Sequence, residues 1–194
     1  MTFPFRSFES AAPAAPSRAR RLLLKQAATS VFAPALALSA SAQAAPESGY
    51  QTSAWRGPLP ELGLLDTSGK TWQLADLKGR AVLLNFWATW CPPCRAEMPS
   101  LQIVWELYGD EKLLVLAINF KEPASRVVKF AAANGLSFPV LLDPTGKLAA
   151  QQGVKVFPTT LALGANGRPQ QRLTGEVDWT GRAAKDLIEG LLKT

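Results

Sequence analysis

Two runs of strand length carry almost no polar residue: Ala81 to Ala88 (AVLLNFWA) and Leu113 to Asn119 (LLVLAIN). Runs this short and this apolar read as strands buried on both faces, as in the middle of an α/β sheet. Between them, Pro92 to Tyr108 sets Met98, Leu101, Val104 and Trp105 on one helical face. Beyond the second run, Ala124 to Asn134 reads as a helix stopped by Gly135, and Phe138 to Leu142 as a short strand. Lys147 to Gln152 reads as a helical turn. Thr159 to Leu163 and Gln170 to Thr174 read as strands whose loop opens with the hairpin signal Gly164-Ala-Asn-Gly167. Trp179 to Lys193 closes the chain as an amphipathic helix. Nearer the N-terminus, Leu62 to Leu74 predicts a hairpin around an Asp66–Gly69 turn, followed by a short turn at Asp76–Gly79. Strands alternating with helices predict an α/β fold with a mixed central sheet, its antiparallel part supplied by the last hairpin.

The first 44 residues follow a different pattern. Ser17-Arg-Ala-Arg20-Arg21-Leu-Leu-Leu-Lys25 precedes a modest apolar run, Ala27 to Leu38, and then Ala42-Gln-Ala44. A basic start, a short apolar middle and an A-x-A site make a secretory signal peptide, here of twin-arginine type. The alternative is a retained membrane anchor, but this run falls short of the roughly 20 residues a spanning helix needs. The expected division is therefore a signal over 1–44, a leader segment without periodicity over 45–60, and one domain over 61–194. The expected location is the periplasm.

Composition narrows the chemistry. The chain of 194 residues has two Cys and no His. The missing His excludes Ser-His-Asp hydrolysis and His-ligated zinc, and two Cys cannot build an all-cysteine metal site. The net charge of +6 divides as +4 over residues 1–44 and +2 over the rest. The domain is nearly balanced and has no basic run, so no nucleic-acid partner is expected.

Both cysteines lie in Trp90-Cys91-Pro92-Pro93-Cys94, between a buried strand and a helix start. Two Cys at i and i+3 on a first helical turn are close enough to join. Unpaired backbone N–H groups and the helix dipole favour a thiolate at Cys91. A purely structural staple is a poor alternative, because so short a loop contributes only about 2 kcal/mol. A copper-binding or chaperone module using Cys91 and Cys94 is another, though further ligands would have to be found.

Phe86-Trp-Ala-Thr-Trp-Cys91-Pro-Pro-Cys94 resembles the active-site motif of the thioredoxin superfamily, and Val156-Phe-Pro158-Thr-Thr160 is similar to its cis-proline loop. The N-terminal hairpin, the helix-strand insertion around 123–142 and Cys94-Arg-Ala-Glu97-Met-Pro99 resemble the TlpA/ResA-like branch of exported thiol-disulfide oxidoreductases. The resemblance covers roughly residues 58–192. It implies a thioredoxin-like fold and a redox-active Cys91–Cys94 disulfide as the working group, without a cofactor or metal. Cys91 would attack and Cys94 resolve. Trp90, Pro92, Phe157, Pro158 and Thr159 would meet the substrate, with Pro158 in the cis form, and Trp87 would join Trp90 in lining that surface. Asn85 stands where thioredoxins carry a buried Asp, so Glu97 is the expected proton acceptor. Pro99 should kink the helix by freeing the Arg95 carbonyl.

The resulting expectation is a monomeric protein disulfide reductase, resupplied with electrons by a CcdA/DsbD-like membrane thiol conduit. Apocytochrome c cysteines are one target class. An oxidant or isomerase of the same fold is the alternative. A peroxidase is disfavoured, because Leu84 and Ala88 stand where its P-x-x-x-T-x-x-C pattern needs Pro and Thr. Lys121 and Glu122, at the end of the second strand, receive no role.

Overall fold

The computed structural model describes residues 49–194; the signal expected over 1–44 lies outside them. In chain order the strands are β1 (Tyr50–Ala54), β2 (Leu64–Leu65), β3 (Thr71–Trp72), β4 (Ala81–Trp87), β5 (Leu113–Phe120), β6 (Val140–Asp143), β7 (Thr159–Leu163) and β8 (Pro169–Gly175). The α-helices are α1 (Pro92–Lys112), α2 (Ala124–Ala133), α3 (Lys147–Gln151) and α4 (Arg182–Leu192). Six strands form one sheet in the order β1-β8-β7-β4-β5-β6, and β2 and β3 form a separate hairpin.

The two apolar runs are the sheet's centre. All seven residues of β4 are buried, and β5 pairs parallel to it from Ala81 opposite Leu113 to Trp87 opposite Asn119. Alternation along β4 splits the core in two. Leu83 and Trp87 pack with Met98, Leu101 and Val104 of α1 on one face, while Val82, Leu84 and Phe86 pack with Leu148 and Leu161 on the other. Asn85 has the parity of the α1 face, so its amide enters the core beneath the CPPC turn.

Strand direction then gathers three loops at one edge. β4 and β5 run parallel and end there, while β7 is antiparallel to β4 and begins there, with Thr159 opposite Phe86. The CPPC turn, the Lys121–Glu122 turn and the Phe157–Pro158 loop therefore meet beyond the carboxyl ends of the central strands. Open α/β sheets place their sites in this position.

Two expectations are corrected. The leader over 45–60 contains a strand, because Tyr50 to Ala54 pairs antiparallel with β8, from Tyr50 opposite Gly175 to Ala54 opposite Gln171. It is an edge strand with four of five residues exposed, so backbone pairing fixes it and no hydrophobic alternation marks it. A Cβ at Gly175 would stand 2.5 Å from the Gly49 carbonyl oxygen, so that close approach needs glycine. The last helix begins at Arg182, and Trp179 is instead a fully buried residue of the preceding turn. α1 leaves helical dihedrals at Gly109 (φ 67°), directly after the helix end expected at Tyr108, and Pro99 lies inside it.

Candidate active site

Cys91 is the N-cap of α1, with extended dihedrals (φ −93°, ψ 108°), and its sulfur accepts the Cys94 N–H at 3.3 Å. Pro92 and Pro93 fill the first helical positions, where a missing N–H costs nothing. Cys91 and Cys94 are joined as a disulfide with Cα atoms 5.3 Å apart. Cys94 is completely enclosed, whereas Cys91 is 4% exposed and stands between exposed Trp90 and Pro92.

The Phe157–Pro158 peptide bond is cis. The loop is secured from both sides: the Pro158 carbonyl accepts the Gly175 N–H at 2.9 Å, and the Thr159 hydroxyl donates to the Val156 carbonyl at 2.8 Å. Aromatic rings run from the disulfide along this loop. Trp90, 57% exposed, meets Phe157 edge-on with ring centres 6.0 Å apart, and Phe157 leans on Phe120 at 4.9 Å. Trp90, Pro92 and Phe157 thus lie together on an apolar surface beside Cys91. Thr159 does not join it, because it is buried and its hydroxyl is spent on the loop. Nor does Trp87, fully buried and packed on Phe130 at 5.1 Å. The side-chain period of two points Trp87 inward, toward α1.

Beneath the disulfide, Glu97 lies one helical turn after Cys94 and is 1% exposed. Asn85 Nδ2 donates to its Oε1 at 2.6 Å and the Val177 N–H to its Oε2 at 3.2 Å. Asn85 Nδ2 also reaches Thr160 Oγ1 at 3.0 Å, linking the carboxyl to the residue two after Pro158. Burial pushes the Glu97 pKa up to about 7, and the charge of Glu176 adds to that. The Asn85 and Val177 donors pull the other way, as does the nearby Trp179 indole N–H.

A second buried carboxylate, Glu122, carries no motif that assigns it a role. Glu122 Oε2 accepts the Thr89 N–H at 2.7 Å and Oε1 the Thr89 hydroxyl at 2.5 Å, while Asn119 Nδ2 donates to Oε2 at 2.8 Å. Burial disfavours its charge, but these hydrogen bonds and Arg126 win and hold its pKa below the usual range. Only its place at the end of a central strand could have marked it. Among the described residues, no group of three or more His, Cys, Asp or Glu side chains converges as a metal site.

A disulfide at a helix N-terminus, a facing cis-proline loop and a central mixed sheet define a thioredoxin-like redox protein. Residues 56–169 match the AhpC/TSA family, and the chain belongs to it. Within that family it is a thiol-disulfide oxidoreductase of the ResA-like branch. It is similar to the thiol-disulfide oxidoreductase ResA of Geobacillus thermodenitrificans, with 38% identity over 116 residues, 60% of this chain and 67% of that one. Among solved structures it is similar to a thiol:disulfide interchange protein of the thioredoxin family from Chlorobium tepidum (28% identity, TM-score 0.62, 70% of this chain and 96% of that one). A secreted thiol-disulfide isomerase from Corynebacterium glutamicum is equally similar (28% identity, TM-score 0.62, 78% and 96%).

Proposed function

We propose that this protein is an exported oxidoreductase working as a reductant, passing two electrons from Cys91 and Cys94 to disulfides of other proteins. The observation that carries the direction is Glu97, a carboxyl 1% exposed and one turn from Cys94, whose burial pushes its pKa up to about 7. A negative charge there opposes a thiolate, and a destabilised thiolate makes the dithiol form the better electron donor. The Cys91 thiolate attacks a substrate disulfide, giving a mixed disulfide and releasing one substrate thiolate. Glu97 takes the Cys94 proton, and Cys94 attacks the Cys91 sulfur. The Cys91–Cys94 disulfide forms and the second substrate thiolate leaves. Trp90, Pro92, Phe157 and the Pro158 loop receive the partner.

The N-terminal signal pattern supports export to the periplasm by the twin-arginine route, and there the protein would act as a monomer. There a CcdA/DsbD-like membrane conduit would re-reduce the disulfide, and apocytochrome c cysteines would be one substrate. The secreted isomerase from Corynebacterium supports export too, and its name favours a second reading, an isomerase of the same fold. Trapping tests the roles: Cys94→Ser should accumulate mixed disulfides with partner proteins and Cys91→Ser should not. Equal trapping by the two variants would overturn the assignment.

A further inference from the structure

The turn that carries Cys91 is tied down by a carboxylate that takes no part in the exchange chemistry. Glu122 follows β5, and its side chain, 2% exposed, accepts both the N–H and the hydroxyl of Thr89, two residues before Cys91. The pair is separated by 33 residues, so the contact joins the end of β5 to the end of β4. Glu122 is itself held on two sides, by Asn119 Nδ2 at 2.8 Å and by Arg126 at 3.7 Å. The backbone is bent to aim it. Lys121 has φ 55°, in the left-handed region, and its N–H donates to the Asp143 carbonyl at 3.0 Å. A non-glycine residue there is strained and persists only where surrounding contacts enforce it.

Cys91 depends on that tie more than Cys94 does. Cys94 is inside α1 and fully enclosed, whereas Cys91 is the N-cap: its carbonyl accepts the Arg95 N–H at 3.1 Å, but its own N–H lies outside the helical ladder. The turn behind it is closed by the Cys91 N–H on the Ala88 carbonyl at 3.2 Å and by Thr89 on Glu122. Displacement at a disulfide needs the attacking sulfur in line with both sulfurs of the bond. A displacement of about 1 Å at such a centre can cost about a hundredfold in rate.

We propose that Glu122 is a positioning residue for thiol-disulfide exchange, holding the Thr89 turn so that the Cys91 sulfur stays in line for attack. The inference rests on Cys91 being the attacked sulfur. The tie works through hydrogen bonds rather than through charge. A glutamine can reproduce it, its oxygen accepting the Thr89 N–H while its NH2 donates to the Thr89 hydroxyl oxygen.

The test is the rate of reduction of the oxidised protein by dithiothreitol at 25 °C, followed by tryptophan fluorescence, with Tm measured for every variant. Glu122→Ala should slow reduction by about tenfold or more, and Glu122→Gln should recover most of that loss. A folded Glu122→Ala within threefold of wild type overturns the proposal, whatever its Tm, since a residue that only stabilises the fold moves Tm alone. A glutamine variant as slow as the alanine one also overturns it, because charge would then be the cause. Should Glu122→Ala not fold, Thr89→Val decides, as it removes only the hydroxyl bond: a twofold or greater slowing supports the tie and a smaller one refutes it. Which cysteine of the reduced wild type is alkylated first tests the underlying assignment separately. Labelling at Cys94 would fail that assignment and not the tether alone.

Discussion

Replacing Glu97 with Gln should remove a pH dependence of folding that this one residue creates. In the folded protein its pKa is about 7, against an ordinary 4.5. The folded state therefore binds the proton more tightly than the unfolded chain. Stability from this group is fully present below about pH 4.5 and is lost as pH rises through about 7. At about 1.36 kcal/mol per pH unit, the gap between those two values amounts to about 3 kcal/mol. Asp66, Glu122 and Asp178 have pKa values below the ordinary range, so their contributions are lost only at lower pH. The window from about pH 5 to 8 thus isolates Glu97. Gln can keep the network, because the buried Asn85 Oδ1 lacks a partner and can turn to accept from it. Urea unfolding at pH 5 and pH 8 reads the effect. Wild type should lose about 2–3 kcal/mol across that interval, and Glu97→Gln should lose little and be the more stable protein at pH 8. The same variant should lower the Cys91 thiol pKa, read by thiolate absorbance, and slow release of mixed disulfides. Parallel stability curves for the two proteins would refute a buried, titrating Glu97.

Iodoacetamide added to the reduced native protein should label Cys91 well before Cys94, since Cys94 is fully enclosed; mass mapping of the adduct decides it. Trp90→Ala should leave stability within about 0.5 kcal/mol, the side chain being exposed, yet slow exchange with an apolar peptide disulfide about two- to tenfold. Equal peptide rates would remove Trp90 from the docking surface. Trp179→Ala, at a fully buried site, should cost about 3–5 kcal/mol in urea unfolding.

The parts of this molecule legible in its sequence are those whose residues carry their own reason. AVLLNFWA and LLVLAIN have the length and composition of buried strands, and they are the paired centre of the sheet. A CPPC motif at a strand-helix junction places Cys91 and Cys94 correctly, and Val156-Phe-Pro158-Thr-Thr160 places the cis-proline loop. β1 was not legible, because an exposed edge strand is held by backbone bonds that no side-chain pattern records. Trp87 was misplaced because neighbouring aromatics in FWATW look alike until strand parity assigns them faces. Thr159 looked like a contact residue, while its hydroxyl closes its own loop. Glu122 was invisible for another reason. A Lys-Glu pair after a strand has the composition of a solvated turn, and its partner Thr89 is remote in the chain. Its burial follows from the left-handed turn at Lys121, which no propensity for lysine foretells.

The claim that this oxidoreductase is a reductant is tested most directly by the reduction potential of the Cys91–Cys94 couple, measured by equilibration with dithiothreitol buffers at pH 7. A carboxylate beneath the couple disfavours the thiolate, so the potential should lie near or below thioredoxin's, about −270 mV. Glu97→Gln should raise it. A potential near DsbA's, about −120 mV, would contradict the account and make the protein an oxidant.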